Sequence, residues 1–254
     1  MKKFMTLAAM FAAVMVSFTA CEEQTTDPTP DGTETEVCAD CGKNPCECEQ
    51  GYVSPIKIDG DFADWDALDA SKVAVSTTDP DATLAGLKVV KVYADEYFIN
   101  VYFEYDPEFV ENLESVPFHV YFNSDNSSDS TSEDQWANSG DIDYMCEGWV
   151  YSGGVNCVYD PSLSAAGYTP DAYDWLWVDI LPSSSSISTG AGNGTKYEFA
   201  FTLEMIDVIE FADTFGIGFD IQQDWESVGI LPNAAVTESN LGGKAPLMLV
   251  TFDK

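Results

Sequence analysis

"YFINVYFEY", residues 97–105, is the stretch of this sequence that decides the fold. Its aromatic and aliphatic side chains recur at every second residue: Tyr97, Ile99, Val101, Phe103 and Tyr105. Successive side chains of a β-strand point to opposite faces of a sheet, so this period predicts a strand with one buried face. "KYEFAFTL" (196–203) and "GIGFDIQQD" (216–224) repeat the pattern and predict further strands of the same kind.

Turn residues separate these runs, and hydrophobic residues make up 45% of the 254-residue chain, which is ample for a buried core. We therefore expect an all-β fold over residues 54–254. It would be a single antiparallel β-sandwich of the jelly-roll or immunoglobulin-like kind. One short helix is expected at Glu204–Phe211, and "APLMLVTF" (245–252) should supply the last strand.

The segment "PIKIDGDFADWDAL" (55–68) contains four aspartates around one tryptophan. An EF-hand calcium loop requires acidic or amide ligands at positions 1, 3 and 5. Counting from Asp59, the fifth position is Ala63, so the segment is not an EF-hand. A catalytic pair of carboxylates is defined by their separation in space, which the sequence does not give.

The same segment has a structural interpretation, in which it opens the sandwich. The pattern predicts a strand with Ile56 and Ile58 facing inward, a turn at Asp59–Gly60, and Trp65 capping the core.

The N-terminus combines a charged start, "MKK", with an apolar run at Phe4–Ala20. The run is short for a membrane span, so residues 1–20 are predicted to be a signal peptide. The Ala20–Cys21 junction resembles the lipobox of bacterial lipoproteins, and "CEEQTTDP" resembles the acidic export tags of Bacteroidetes surface lipoproteins. This resemblance implies that Cys21 is acylated and anchors the protein in the outer membrane, facing outward. An ordinary secretory signal cut near Ala20 is the alternative.

Residues 21–53 are rich in Thr, Pro, Glu and Asp and show no hydrophobic period, which predicts a disordered tether. The tether contains "CADCGKNPCEC", with cysteines at Cys38, Cys41, Cys46 and Cys48. Four thiolates at this spacing suit a tetrahedral zinc ion, whereas an oxidising compartment favours two local disulfides. If Cys21 carries lipid, an even number of cysteines remains for disulfides.

The charge is strongly negative, with 44 acidic residues against 10 basic ones and a net charge of −34. Nucleic-acid binding is excluded, because phosphate contacts require clustered Lys and Arg. An acidic surface suits neutral sugars, cations or basic partners.

Four motifs in order resemble the family 9 carbohydrate-binding-module-like (DOMON-like) β-sandwiches. They are "IKIDGDFADW", "VVKVYADEYFINVYFEYD", "VYFNSDNSSDS…GDIDYMCEG" and "YEFAFTLEMI…FGIGFDIQQDW". Together they cover residues 54–254. The resemblance implies a β-sandwich and suggests, for function, the binding of a polysaccharide or oligosaccharide.

The loop Asn123–Asp141 is a candidate calcium site. Asn123 and Asp125 leave one predicted strand, and Asp141 and Asp143 lie on one face of the next. Hard oxygen ligands on an adaptable loop suit Ca²⁺, and a solvated polar loop is the alternative. The loop also carries Trp136, an alternative sugar platform if it is exposed.

Aromatic residues on the following strands are candidate sugar-binding residues, because flat aromatic faces suit the C–H faces of a pyranose. They are Trp149 and Tyr151 on one predicted hairpin arm, and Trp175 and Trp177 on a later strand. Burial of these tryptophans in the core is the alternative. Cys146 and Cys157 lie on opposite arms of the hairpin and are candidates for a cross-strand disulfide.

The sequence has no nucleophile elbow, phosphate loop or dinucleotide fingerprint, and its one histidine, His119, is predicted to share a strand face with Tyr121. We therefore expect a non-catalytic surface lipoprotein that captures glycan for an outer-membrane uptake system. The alternatives are an adhesin or accessory subunit of a membrane complex without sugar binding, and a glycoside hydrolase using two of the carboxylates.

Overall fold

A computed structural model describes residues 52–111, 113, 116–128, 136–137, 142–149, 154–159, 176–177, 188–206 and 209–254. The side chains at 154–159, 176–177, 188–189 and 205 are outside that description. The chain divides into the units Met1–Tyr52 and Val53–Lys254. The predicted signal peptide, Cys21 and the cysteine motif with Cys38, Cys41, Cys46 and Cys48 lie outside the described residues.

The described residues form mainly β-strands. In chain order these are β1 (Ala74–Thr77), β2 (Leu87–Ala94), β3 (Phe98–Tyr105), β4 (Phe118–Asn123), β5 (Tyr144–Trp149), β6 (Gly154–Tyr159), β7 (Leu176–Trp177), β8 (Ser188–Asn193), β9 (Lys196–Thr202), β10 (Thr214–Gln223), β11 (Glu226–Leu231) and β12 (Met248–Thr251). The helical elements are α1 (Ala63–Ala67) and short 3₁₀ turns at Ala70–Lys72 and Leu203–Ile206.

The strands pair antiparallel in two sheets. The first sheet has the order β1-β2-β3-β9-β8, and the second has the order β11-β10-β4-β5-β6-β7. Strand β12 pairs with β10, beside its Thr214–Ile217 end, while β11 pairs with its other end. The predicted all-β sandwich is confirmed.

The core lies between the inner faces of the two sheets. Phe103 of β3 stacks on Phe118 of β4 with ring centroids 4.8 Å apart, and Phe122 contacts Phe201 of β9 at 5.7 Å. All four rings are fully buried, and burial of each such side chain stabilises the fold by about 1.5–3 kcal/mol. The alternation predicted for β3, β9 and β10 matches the residues that face this core, except that Tyr97 lies before β3 and is exposed.

The opening segment differs from its prediction. Residues 55–58 form no strand, and the chain turns at Gly60, whose φ is +80°. It then forms α1, which buries Trp65 against Tyr102 on the outer face of the first sheet. Trp65 therefore covers a second apolar cluster outside the main core, while Ile56 is buried as expected.

The helix predicted at Glu204–Phe211 is also wrong in form. The described residues of this segment form a 3₁₀ turn at Leu203–Ile206, and those from Ile209 onward are not helical. Among the helices that the structure describes, none has the length and apolar composition to cross a membrane.

The outer face of the second sheet is covered as well. Trp136 is 1% exposed and packs on Tyr121, with ring centroids 5.1 Å apart. It fits over Gly218 of β10, where an added Cβ would lie 2.6 Å from the indole ring. The prediction that Trp136 offers an exposed platform is therefore wrong, because the ring is buried over a glycine that leaves room for it.

Candidate ligand-binding site

Two exposed tryptophans meet at one end of the outer face of the second sheet. Trp149, the last residue of β5, is 38% exposed, and Trp225, between β10 and β11, is 60% exposed. Their ring centroids are 6.2 Å apart and the ring planes make an angle of 87°. We call Trp149 and Trp225 the tryptophan pair.

The alternation of β5 places Trp149 on this outer face. Cys146 points inward and belongs to the main core. Glu147 and Trp149, one and three residues further on, therefore face outward. Residues two apart on a strand are about 6–7 Å apart along it. Glu147 therefore lies next to the tryptophan pair on the same surface.

Trp225 occupies an unusual backbone position. It forms, with Asp224, the two-residue connection between β10 and β11, where Gln223 pairs with Glu226. The φ angles of Asp224 and Trp225 are +53° and +68°. Such connections favour Asn and Gly, and a bulky residue in the left-handed region costs about 1–2 kcal/mol. A strained, exposed aromatic residue is typical of a functional position.

A polar network extends from the tryptophan pair across the outer face. We call His119, Glu147, Asp220, Gln222 and Ser227 the histidine network. His119 Nε2 lies 2.6 Å from Glu147 Oε2, and its Nδ1 lies 3.0 Å from Gln222 Nε2. Asp220 Oδ2 accepts hydrogen bonds from Gln222 Nε2 at 2.7 Å and from Ser227 Oγ at 2.9 Å. Strand register explains the network, because His119 pairs with both Glu147 and Asp220.

His119 is 5% exposed, and burial alone lowers its pKa. The carboxylates of Asp220 and Glu147 outweigh burial, so the pKa of His119 lies above its ordinary value. In the neutral ring, Nδ1 accepts from Gln222 and Nε2 donates to Glu147. In the charged ring, Nδ1–H loses the hydrogen bond with Gln222 Nε2 and gains an electrostatic contact with the Asp220 carboxylate 3.7 Å away, while Nε2 still donates to Glu147. His119 therefore holds the Glu147 carboxylate in both protonation states.

The sequence identified only part of this site. Trp149 is exposed as the sugar-binding hypothesis requires. Tyr151 and Trp175 lie outside the described residues, and Trp177 pairs with Val158 in β7 but its side chain is not described. Trp225 was not among the predicted residues, although "DW" lies between two alternating runs at the spacing of a two-residue hairpin.

Glu147 was not among the predicted residues either. Its position two residues before Trp149 on an alternating strand was the available signal.

Three of the predicted calcium ligands, Asn123, Asp125 and Asp143, form hydrogen bonds with Ser124 or Ser127 of the same loop. Asn123 is 5% exposed; its Nδ2 donates to the Ser127 carbonyl, and its Oδ1 has no hydrogen-bond partner. Asp143 Oδ2 accepts from the amide and hydroxyl of Ser124, at 2.7 and 2.8 Å. Asp125 is exposed and accepts from the Ser127 amide. Burial raises the pKa of Asp143.

Asp141 lies outside the described residues. Within the part of the chain that the structure describes, no group of three His, Cys, Asp or Glu side chains is placed to hold a metal ion. Asn123 and Asp143 nevertheless lie close together, since Asp143 N donates to the carbonyl of Phe122. The calcium site stays a prediction.

The two hairpin cysteines lie directly opposite each other. Cys146 of β5 is buried and pairs with Cys157 of β6 in the ladder. This register brings the two backbones to the spacing that a cross-strand disulfide needs. The Cys157 side chain is outside the description, so the disulfide stays a prediction.

A cavity of about 440 Å³ lies elsewhere, at the end of the sandwich near the β2–β3 turn. Apolar residues including Leu203, Phe211 and Phe252 line it, together with Asp95, Glu96 and Lys254. Among the described carboxyl groups, those of Asp143 and Glu198 have a raised pKa, and neither lines this cavity.

The tryptophan pair and the histidine network are therefore the described features with the strongest binding chemistry: exposed aromatic faces beside a carboxylate held in a fixed orientation. Comparison of the chain with protein-family models gave no match, and comparison with curated proteins gave none either.

Proposed function

We propose that this protein is a non-catalytic surface lipoprotein whose β-sandwich binds a polysaccharide or oligosaccharide at the tryptophan pair. The observation that carries the proposal is the exposure of two indole rings 6.2 Å apart, one of them held in left-handed backbone. A tryptophan in such a turn costs about 1–2 kcal/mol of backbone strain, which its contact with Trp149 offsets by about 0.5–1.5 kcal/mol. Binding of a flat, partly apolar ligand gives the residue a role.

The perpendicular arrangement of the rings suits a sugar. A pyranose that stacks on the face of one ring meets the other ring at its side. Aromatic faces supply apolar contact, and neighbouring polar groups fix orientation by binding hydroxyls. Glu147, with 22% of its side-chain surface accessible, is placed to accept such hydrogen bonds.

The location of the protein is part of the proposal. The lipobox-like junction at Cys21 and the acidic tether support an outer-membrane anchor with the sandwich held outside the cell. Such a protein would capture glycan and pass it to an outer-membrane transporter complex. Replacing Cys21 with Ser is expected to move the protein from the membrane fraction to the soluble fraction, measured by fractionation and labelling with a radioactive fatty acid.

Affinity electrophoresis in gels containing soluble polysaccharides tests the binding function. The wild type is expected to be retarded by at least one polysaccharide, and Trp225→Ala and Trp149→Ala should each run as in a gel without ligand. Tyr97→Ala is the matched control, because Tyr97 is 45% exposed and lies in the β2–β3 turn, away from the β10–β11 connection.

A folded wild type that no polysaccharide retards would contradict the proposal, as would equal losses in Tyr97→Ala. Exposed tryptophans are also frequent at protein–protein interfaces. A folded wild type that binds no polysaccharide would therefore favour the adhesin or accessory-subunit alternative.

A further inference from the structure

We infer that the tryptophan pair selects glycans that carry free, positively charged amino groups, an inference that rests on the proposed function. It concerns the kind of sugar, which the exposure of the rings alone does not determine. The charges that surround the rings favour a cationic sugar.

On β4, β5, β10, β11 and the 224–225 connection, every charged side chain apart from the buried His119 is acidic. Asp224 and Glu226 flank Trp225 in the chain and are exposed, and Glu147 lies two residues from Trp149 on the same strand face. The strands that form this surface, β4, β5, β10 and β11, contain no lysine, and the whole chain contains no arginine.

The positive charge of His119 does not offset this field at the surface. Its ring is 5% exposed and lies between Glu147 and the fully buried Asp220, so both of its ring nitrogens face partners within the protein. One imidazolium between two carboxylates leaves a net negative charge in the network. Of these two carboxylates, Glu147 is the one that reaches solvent.

A cation at this position gains from both features of the site. An ammonium group is attracted to the face of an indole ring by the ring quadrupole. The same group forms a charge-assisted hydrogen bond with a carboxylate, which is stronger than the bond made by a neutral hydroxyl. A carboxylate or sulfate on the sugar would instead face three exposed or partly exposed acids, Glu147, Asp224 and Glu226.

Glu147 is therefore proposed as the specificity-determining residue, and the tryptophan pair as the general stacking surface. His119, Gln222, Asp220 and Ser227 act through Glu147 as positioning residues, because His119 Nε2 fixes its Oε2 atom. The other carboxylate oxygen of Glu147, Oε1, is then available to bind the ligand.

Two matched oligosaccharides test the inference: β-1,4-linked glucosamine oligomers and their N-acetylated counterparts, which share a backbone and differ in charge. Their dissociation constants are measured by calorimetry in weakly acidic, low-salt buffer. The wild type is expected to bind the amino form roughly tenfold more tightly, from the cation–π contact and the charged hydrogen bond together. Glu147→Gln should reduce that preference to about twofold, because the neutral amide keeps the hydrogen bond without the charge.

Two controls separate charge from folding. Glu96→Gln, an exposed acid in the β2–β3 turn, should leave the preference unchanged. In the wild type, raising the salt concentration from about 10 mM to about 500 mM should reduce the preference for the amino form, because salt screens the attraction between the ammonium group and the carboxylates. Trp225→Ala should weaken the binding of both oligosaccharides, and that of the amino form more, because the cation–π contact is lost as well as the stacking.

The outcomes distinguish the inference from the proposed function. If the wild type binds N-acetylated, other neutral or acidic glycans as tightly as the amino form, the selection of amino groups is wrong and carbohydrate binding stands. If the folded protein binds neither of these oligosaccharides nor any polysaccharide, carbohydrate binding fails, and the inference fails with it.

Discussion

The indole Nε1 of Trp65 donates a 2.9 Å hydrogen bond to Oε2 of Glu198, a side chain with no solvent exposure. The other carboxylate oxygen accepts from the backbone amides of Asp59 and Gly60, at 2.9 and 2.8 Å. One acidic side chain of β9 thus fixes the turn and the helix of the opening segment to the first sheet. The aspartates of that segment resemble a metal loop in sequence, yet the carboxylate that organises it comes from a distant strand.

Replacement of Glu198 by Ala should destabilise the fold by about 3 kcal/mol, because three buried or partly buried donors lose their acceptor. Glu198→Gln should cost less, since its single carbonyl oxygen still accepts from the turn. Glu96→Ala, at an exposed position, is the control and should change stability by less than about 0.5 kcal/mol. Urea denaturation gives the free energies. A change below about 1 kcal/mol in Glu198→Ala would show that the opening segment is not held in this way.

The strands of the sandwich were predictable because their period is a local property. Ile99, Val101 and Phe103 face the core as the alternation requires. The burial of Trp136 was not predictable in the same way. It depends on the contact of Trp136 with Gly218, about 80 residues later in the chain. The hydrophobic period of a single sequence carries no information on contacts between residues so far apart.

In the candidate site, too, local features were predictable and long-range contacts were not. Trp149 could be proposed from the sequence, because its position on a strand follows from the local alternation of residues. The importance of Glu147 depends on its contact with His119, which only the register of β4 and β5 brings together. Trp225 was accessible to sequence reasoning through turn spacing, but its aromatic character conflicts with the residue types that a two-residue hairpin favours.

Replacement of Trp225 by Asn should separate stability from binding. Asn adopts left-handed backbone readily, so relief of strain at φ +68° should raise the free energy of unfolding by about 0.5–1 kcal/mol. Glycan binding should be lost in the same variant. Urea denaturation and affinity electrophoresis measure the two effects. A destabilised Trp225→Asn protein would indicate that the ring supports the fold, which would weaken its assignment to a ligand.

His119 should make stability dependent on pH. Its pKa is raised above 6.5 in the folded protein, mainly because the carboxylates of Asp220 and Glu147 outweigh the effect of burial. Its contribution is therefore fully present below pH 6.5 and is lost as the pH rises through the raised value. The stability of the wild type relative to His119→Gln should decrease over that window.

The comparison with His119→Gln removes the effect of the many acidic residues, since they are common to both proteins. Unfolding free energies measured by urea denaturation across neutral pH give the difference directly. A difference that is constant, or that grows with pH, would show that the folded state does not favour the charged imidazole.

Calcium binding can be tested at Asn123 and Asp143, the described members of the predicted site. Asn123 Oδ1 is buried without a hydrogen-bond partner, which leaves an oxygen available to a cation. Calorimetry should show a higher melting temperature in calcium than in a chelator. Asp143→Ala should abolish the rise, but it also removes the acceptor of the Ser124 amide and hydroxyl.

Asp143→Asn is therefore the sharper variant, because its carbonyl oxygen can still accept from Ser124 while the charge that attracts calcium is gone. It should fold with near wild-type stability in chelator and lose the calcium-dependent rise. Glu96→Gln controls for the general loss of one acidic charge. If calcium leaves the melting temperature of the wild type unchanged, the acidic loop is a solvated surface loop and holds no calcium, and the orphaned oxygen of Asn123 then has some other partner.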